Sequence, residues 1–158
     1  MVDVVDEQFS VHEDPVWRDR ADFIVNAPLA EDGRFEQLWC RRLSDDTFEV
    51  CCIPFFLYDV ALGDTVKTEA TKSRTYLVSK VLVASGRYVF RVHFDRSMLR
   101  HRDEVVAELM AMGALVEWSS PSMFAVDAVD ADHAQRVADV LFAHEQAGRL
   151  IYETGRSA

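Results

Sequence analysis

The sequence predicts an α+β fold, in which a small β-barrel or curled sheet precedes an antiparallel four-stranded sheet with two helices on one face. Two observations lead to this prediction. Residues 87–154 contain apolar patterns in the order strand, helix, strand, strand, helix, strand, with turn residues between them. Residues 22–84 contain only short period-two runs separated by turns, which is typical of a small β-domain.

The first strand of the back half is predicted over residues 87–94, where large apolar side chains occupy every second position. A helix follows, because Val105, Leu109 and Met112 recur at steps of three and four residues. Asp95 or Ser97 is the expected cap at its start, and Gly113 is expected to end it in a left-handed conformation.

The remaining strands are predicted over residues 115–119, 123–129 and 149–154. A second helix begins after Asp130 as N-cap and ends at Gly148. Its apolar stripe consists of Ala134, Val137, Ala138, Leu141 and Phe142. This order of elements is that of the split βαβ or ferredoxin-like fold, whose two helices cover one face of the sheet.

The front half is predicted to be a five-stranded barrel or curled sheet. Strands are expected over residues 22–26, 37–43, 47–53 and 75–84, and another begins at Thr65. Gly63 and Asp64 form a tight turn in which glycine is left-handed and aspartate binds nearby backbone. The predicted organisation is therefore an acidic leader (1–21), a β-barrel-like domain (22–84) and a ferredoxin-like domain (85–158).

The negative charge is concentrated at the front of the chain. The formal net charge is −10, and residues 1–32 hold nine acidic residues against two arginines. Such a segment repels nucleic acid and attracts a basic protein surface. The candidate partner-binding residues are Asp6, Glu7, Glu13, Asp14, Asp19 and Asp22. The alternative is a solvated, partly mobile N-terminus without a partner.

Composition also bears on compartment and redox chemistry. The longest apolar run, residues 50–57, is too short to span a bilayer, and the first residues are acidic where a signal peptide is basic. We therefore expect a cytoplasmic protein without a membrane partner. Cys40, Cys51 and Cys52 have no metal-binding or disulfide spacing and are expected to be small buried hydrophobic residues, with a redox pair or a nucleophile as the alternative.

No motif predicts catalysis. The five histidines have no zinc-type spacing, and neither a phosphate-binding glycine loop nor a GxSxG turn is present. We predict no catalytic residues, no metal and no cofactor. If the sheet face that carries Arg91 and His93 is open, these two residues are the best candidates for a ligand site. The alternative is an ordinary solvated strand face.

Several short motifs resemble a bacterial family of unknown function, the one numbered four-two-six-five. They are Leu38-Trp39, the segment 50–56, the turn 63–66 and the trailing Ile151-Tyr152-Glu153. The resemblance covers residues 34–154 and implies a small β-barrel followed by a ferredoxin-like half. It implies no activity and no catalytic residues, and it leaves the acidic leader without an interpretation.

Two function classes follow from these observations. The first is a non-enzymatic protein-binding module, most specifically an immunity-type inhibitor that neutralises a bacterial toxin through the acidic leader. The second is a small-molecule-sensing regulatory domain that pairs side by side as a homodimer and holds its ligand at the interface. An enzyme ranks third, with a cysteine nucleophile and His93 as base.

Overall fold

Two β-sheets and two α-helices make up the part of the chain described by the computed structural model, residues 6–157. The strands of the first sheet are β1 (Gln8–Ser10), β2 (Phe23–Pro28), β3 (Arg34–Arg42), β4 (Thr47–Val50), β5 (Thr65–Glu69) and β6 (Leu77–Val83). The second sheet contains β7 (Tyr88–His93), β8 (Leu115–Ser120), β9 (Met123–Ala128) and β10 (Ile151–Thr154). The helices are α1 (Arg102–Ala111) and α2 (Ala131–Gln146).

The first sheet closes into the predicted five-stranded barrel. Strands β2 to β6 pair in chain order, and each of these pairs is antiparallel. The barrel closes between β6 and β2, which pair in parallel where Leu77 lies beside Asn26. The strand β1 was not predicted. It pairs in parallel with β3, where Phe9 lies opposite Phe35 and stacks on it. Part of the acidic leader therefore belongs to the barrel sheet.

The second sheet has the predicted ferredoxin-like topology. Its strand order is β10-β7-β9-β8, and every pair is antiparallel. Alternate residues of β7, among them Phe90 and Val92, pack against the buried helix residues Val105, Leu109 and Leu141. Both helices cover this one face because each has an apolar stripe that must leave water. Neither helix has the length and apolarity needed to cross a membrane.

Two details of the helices differ from the sequence prediction. Asp95 does not cap α1: its Oδ1 accepts hydrogen bonds from the backbone N–H groups of Ser97 and Met98, and so closes a turn well before α1 begins. Phe142 is 54% exposed, so it lies outside the buried stripe of α2. The stripe continues from Leu141 to His144, three residues on, whereas Phe142 lies about 100° around the helix from Leu141.

The other face of the ferredoxin-like sheet is also covered. Ile53, Phe55 and Leu62, from the segment between β4 and β5, pack against Val89 of β7 and Ala125 of β9. This side of β7 is therefore buried at Val89 and Arg91 and exposed at His93, so it is not the fully solvated face that the alternation suggested. The segment between β4 and β5 forms the apolar layer between the two sheets.

Gly63 has the predicted left-handed conformation, with φ of +82°. Asp64 fixes the turn, because its carboxylate accepts from the N–H groups of Ala61 and Ser85 at 2.9 and 2.8 Å. A Cβ added at Gly63 would lie 3.2 Å from the Ser85 Cβ and 3.4 Å from the Trp17 ring. The turn thus leaves little room for a side chain, and Ser85 is the tightest neighbour.

We expect Gly63→Ala to lower the free energy of unfolding by about 1–3 kcal/mol, from left-handed strain together with crowding against Ser85. Gly86→Ala is the matched control, since Gly86 has φ of +84° but open space around its Cα. Urea denaturation of both variants separates strain from crowding. A loss for Gly63→Ala no larger than that for Gly86→Ala would show that crowding against Ser85 is unimportant.

Candidate functional site

His12 anchors the acidic leader between the two sheets. It is 2% exposed, and its ring stacks on Phe55 with centroids 4.0 Å apart. Nε2 lies 2.7 Å from Oε2 of Glu36 on β3, and Nδ1 lies 2.6 Å from Oε1 of Glu117 on β8. Glu36 is fully buried and Glu117 nearly so. A single side chain therefore joins the leader, the barrel and the ferredoxin-like sheet.

The geometry fits a protonated His12 ring. Both ring nitrogens face carboxylate oxygens, and only the imidazolium form donates from both. Burial by itself lowers the pKa of His12, but the neighbouring Cys52 and the hydrogen bonds to Glu117 and Glu36 raise it to about 12. Burial by itself raises the pKa of Glu36. The hydrogen bond and positive charge of His12 outweigh burial and hold the pKa of Glu36 below its usual value.

The two carboxylates also organise the segment that follows β4. Glu36 accepts from the backbone N–H groups of Phe55, Phe56 and Leu57 at 2.7, 2.8 and 3.1 Å. Glu117 accepts from the N–H of Ile53 at 2.6 Å. The cluster of two carboxylates and one imidazolium has one excess negative charge, and the hydrogen bonds from these backbone N–H groups compensate for it. They also fix the position of the aromatic residues at 55 and 56.

This buried cluster positions residues and carries no reactive group. Both ring nitrogens of His12 are used, so no lone pair remains for a metal ion or for proton abstraction. The three cysteines are buried, as predicted, and burial raises the pKa of each thiol. A raised thiol pKa is the opposite of what a cysteine nucleophile needs.

A cleft of about 530 Å³ lies beside the segment that Glu36 holds. Phe55, Phe56 and Tyr58 form one side of it, and β7 and β10 form the other. Arg91 and His93, the two residues predicted from sequence, both line it. Phe56, Tyr58 and Ile151 each expose 40–49% of their surface here. This volume and this mixture of apolar walls with a few polar groups are typical of ligand sites.

Arg91 is the most unusual group in the cleft, because it is only 4% exposed. Its Nη2 donates to the carbonyl oxygen of Leu57, and its guanidinium lies 4.6 Å from the centroid of the Tyr58 ring. Nη1 is 3.6 Å from Oε1 of Glu153, which also accepts from the Tyr58 hydroxyl at 2.9 Å. Within residues 6–157, Nε and Nη1 have no hydrogen-bond partner.

From residue 6 onwards, the acidic residues of the leader and Asp22 just after it lie at the surface. Glu7 is paired with Arg74, and Asp22 accepts from the backbone N–H of Arg42 at 2.8 Å. Glu13 lines a second cavity, of about 350 Å³, which shares Phe55, Phe56 and His93 with the cleft. The leader is therefore an ordered rim beside the cleft, at least from Asp6 onwards.

The sequence matches the family described as Domain of unknown function (DUF4265) over residues 36–152. The chain belongs to the DUF4265 family. The matched region begins at Glu36 and includes Glu117, whereas His12 precedes it. In this DUF4265 chain, one residue outside the family match, His12, thus completes a buried charge cluster inside it.

Two further comparisons concern other proteins. No curated protein matches this chain. A solved structure of a hypothetical protein from Neisseria gonorrhoeae is similar to this DUF4265 chain, with a TM-score of 0.66 and 17% sequence identity. The similarity covers 85% of this chain and 96% of that one. At this level of identity it supports the fold alone.

The His12 cluster predicts a specific pH dependence of stability. A histidine whose folded pKa is raised from 6.5 to about 12 contributes stability that is fully present below pH 6.5 and is lost as pH rises toward about 12. We therefore expect the free energy of unfolding to fall steadily over this alkaline range. Urea denaturation between neutral and alkaline pH measures the slope.

The matched variant for this measurement is His12→Gln, which removes the titrating ring. Its stability is expected to be lower at neutral pH and to depend less on alkaline pH than that of the wild type. Parallel curves for the two proteins, with the same slope above neutrality, would contradict a buried imidazolium at position 12.

Proposed function

We propose that this protein is a non-enzymatic protein-binding module that recognises a basic partner through its acidic leader. One observation carries the proposal: the leader's carboxylates from Asp6 onwards are exposed on a segment that buried His12 and β1 hold in place. A segment whose backbone is already ordered loses less conformational entropy on binding than a disordered one. The specific form that we propose is an immunity-type inhibitor covering the basic active cleft of a bacterial toxin.

Four carboxylates are the best placed to meet a partner. Glu7 already pairs with Arg74, and Asp22 already binds backbone. The side chains of the other four make no hydrogen bond to residues 6–157: Asp6, Glu13, Asp14 and Asp19. Exposed charges of one sign accelerate association with an oppositely charged surface, and this effect weakens as salt screens it.

The test is affinity capture from the native cell, followed by measured association with the captured protein. A variant with Asp6→Asn, Glu13→Gln, Asp14→Asn and Asp19→Asn is expected to associate at least about tenfold more slowly at low salt. The matched control carries the same loss of charge at Asp32→Asn, Asp103→Asn, Glu104→Gln and Asp132→Asn, all of which are exposed. Equal association rates for the two variants would remove the leader from the interface.

A small-molecule-sensing domain is the second candidate, and the cleft at Arg91 and His93 is the observation that favours it. In this function the protein pairs side by side as a homodimer. The strand β10 is available for such pairing because it is an edge strand, which among the described strands pairs only with β7. This function predicts a dimer by light scattering and a melting temperature that rises with a metabolite. A monomer whose melting temperature no metabolite fraction changes would exclude it.

A further inference from the structure

Arg91 has hydrogen-bonding capacity that the protein itself does not use. It is a buried, permanently charged side chain, and its Nε and Nη1 have no hydrogen-bond partner within residues 6–157. An unmet buried donor costs about 1–3 kcal/mol, and more when it is charged. Most native proteins avoid this cost, so each exception calls for an explanation, and a bound ligand, ion or water is one such explanation.

The groups around Arg91 indicate what kind of ligand it takes. Among residues 6–157, the carboxylate near it is that of Glu153, which lies 3.6 Å from Nη1 and accepts a hydrogen bond from the Tyr58 hydroxyl. The Glu153 side chain is 54% exposed, so it is able to swing into solvent. Phe55, Phe56 and Met123 provide an apolar wall beside these polar groups. An acceptor that is negative at one end and apolar at the other matches this arrangement.

We propose that the cleft is a carboxylate-recognition site, in which an apolar ligand's carboxylate displaces Glu153 and accepts hydrogen bonds from Arg91 Nη1 and the Tyr58 hydroxyl. Glu153 is the internal competitor that occupies this position in the ligand-free protein. The inference rests on the second candidate function and names its ligand class. His93, exposed on the same face of β7 two residues from Arg91, lines the mouth of the site.

The probes are phenylacetate and its neutral isostere phenylacetamide, titrated into the full chain and followed by amide NMR. We expect phenylacetate to shift the signals of residues 56–58, 91–93 and 151–153. Phenylacetamide is expected to bind at least about tenfold more weakly, because it lacks the charge that pairs with the guanidinium. Equal affinity for acid and amide, or shifts confined to other residues, would overturn the proposal.

Variants test separately the role of Glu153 as competitor and the role of Arg91 in binding the carboxylate. Glu153→Gln removes the competing charge and is expected to bind phenylacetate several-fold more tightly, whereas Arg91→Lys, which keeps the charge but loses the planar fork, is expected to bind more weakly. If Arg91→Lys fails to fold, Tyr58→Phe replaces it in the test, because this variant loses the hydroxyl donor and is also expected to bind phenylacetate more weakly. Arg136→Gln, on the exposed side of α2, is the control and leaves affinity unchanged. Weaker binding by Glu153→Gln would contradict the competitor role.

A further pair of probes identifies the source of the carboxylate. An acetylated tetrapeptide ending in phenylalanine is compared with its C-terminal amide. Tight binding of the acid peptide alone indicates a protein C-terminus, and binding of phenylacetate with similar affinity indicates a small metabolite. If no carboxylate binds, but a metabolite extract raises the melting temperature in an Arg91-dependent way, the ligand class is wrong while the sensing function stands.

Discussion

Replacing His12 with alanine is expected to lower the free energy of unfolding by about 3–5 kcal/mol, because Glu36 and Glu117 would then be buried without a cation between them. The ring also stacks on Phe55, and alanine leaves a cavity there. A loss of this size is a large fraction of the total stability of an ordinary domain. Urea or thermal denaturation at neutral pH measures it.

His93→Ala is the control for this experiment. His93 is exposed and belongs to no buried charge cluster, so its removal is expected to change stability by less than about 0.5 kcal/mol. Adding Glu117→Gln to His12→Ala is expected to recover part of the loss, since it removes one of the uncompensated charges. If His12→Ala were no more harmful than His93→Ala, the leader would not be an integral part of the fold.

Replacing Glu36 with alanine is expected to have an effect of similar size, about 3–5 kcal/mol, for a second reason. Glu36 is the acceptor for three consecutive backbone N–H groups, those of Phe55, Phe56 and Leu57. Without it these groups and the imidazolium lose their partner together. Amide hydrogen exchange at residues 55–57 is therefore expected to accelerate more than exchange in the helices.

The effect of Glu36→Ala also extends to the cleft, because the segment that Glu36 fixes carries Phe55, Phe56 and Tyr58. Glu31→Ala is the control: Glu31 forms only an exposed ion pair with Arg34, which is worth less than about 1 kcal/mol. Uniform acceleration of exchange across the whole chain, without a local excess at residues 55–57, would show that Glu36 stabilises the barrel generally and does not hold this segment.

Hydrophobic periodicity was sufficient to predict the fold class. Each ferredoxin-like strand and helix contains enough consecutive turns or pleats for its pattern to be read locally, and the barrel hairpins are bounded by turn residues. The strand β1 escaped prediction because it has three residues and depends on pairing with β3. Parallel pairing with a later strand has no signature in a three-residue sequence.

The candidate site could be predicted only in part. Arg91 and His93 were found because polar residues interrupt an apolar strand, but their alternation could not show what covers that face. His12, Glu36 and Glu117 were missed because their contact joins positions 24 and 105 residues apart. One signal was present: Glu36 shares its strand face with Leu38 and Cys40, which places a carboxylate on the buried side.

NMR of the His12 ring tests most directly whether a buried imidazolium in the leader joins the two sheets. At about pH 8, where a free histidine is neutral, both ring nitrogens of His12 are expected to have the ¹⁵N shifts of protonated sites and to couple to slowly exchanging protons. One unprotonated ring nitrogen at this pH would show that His12 is not an imidazolium.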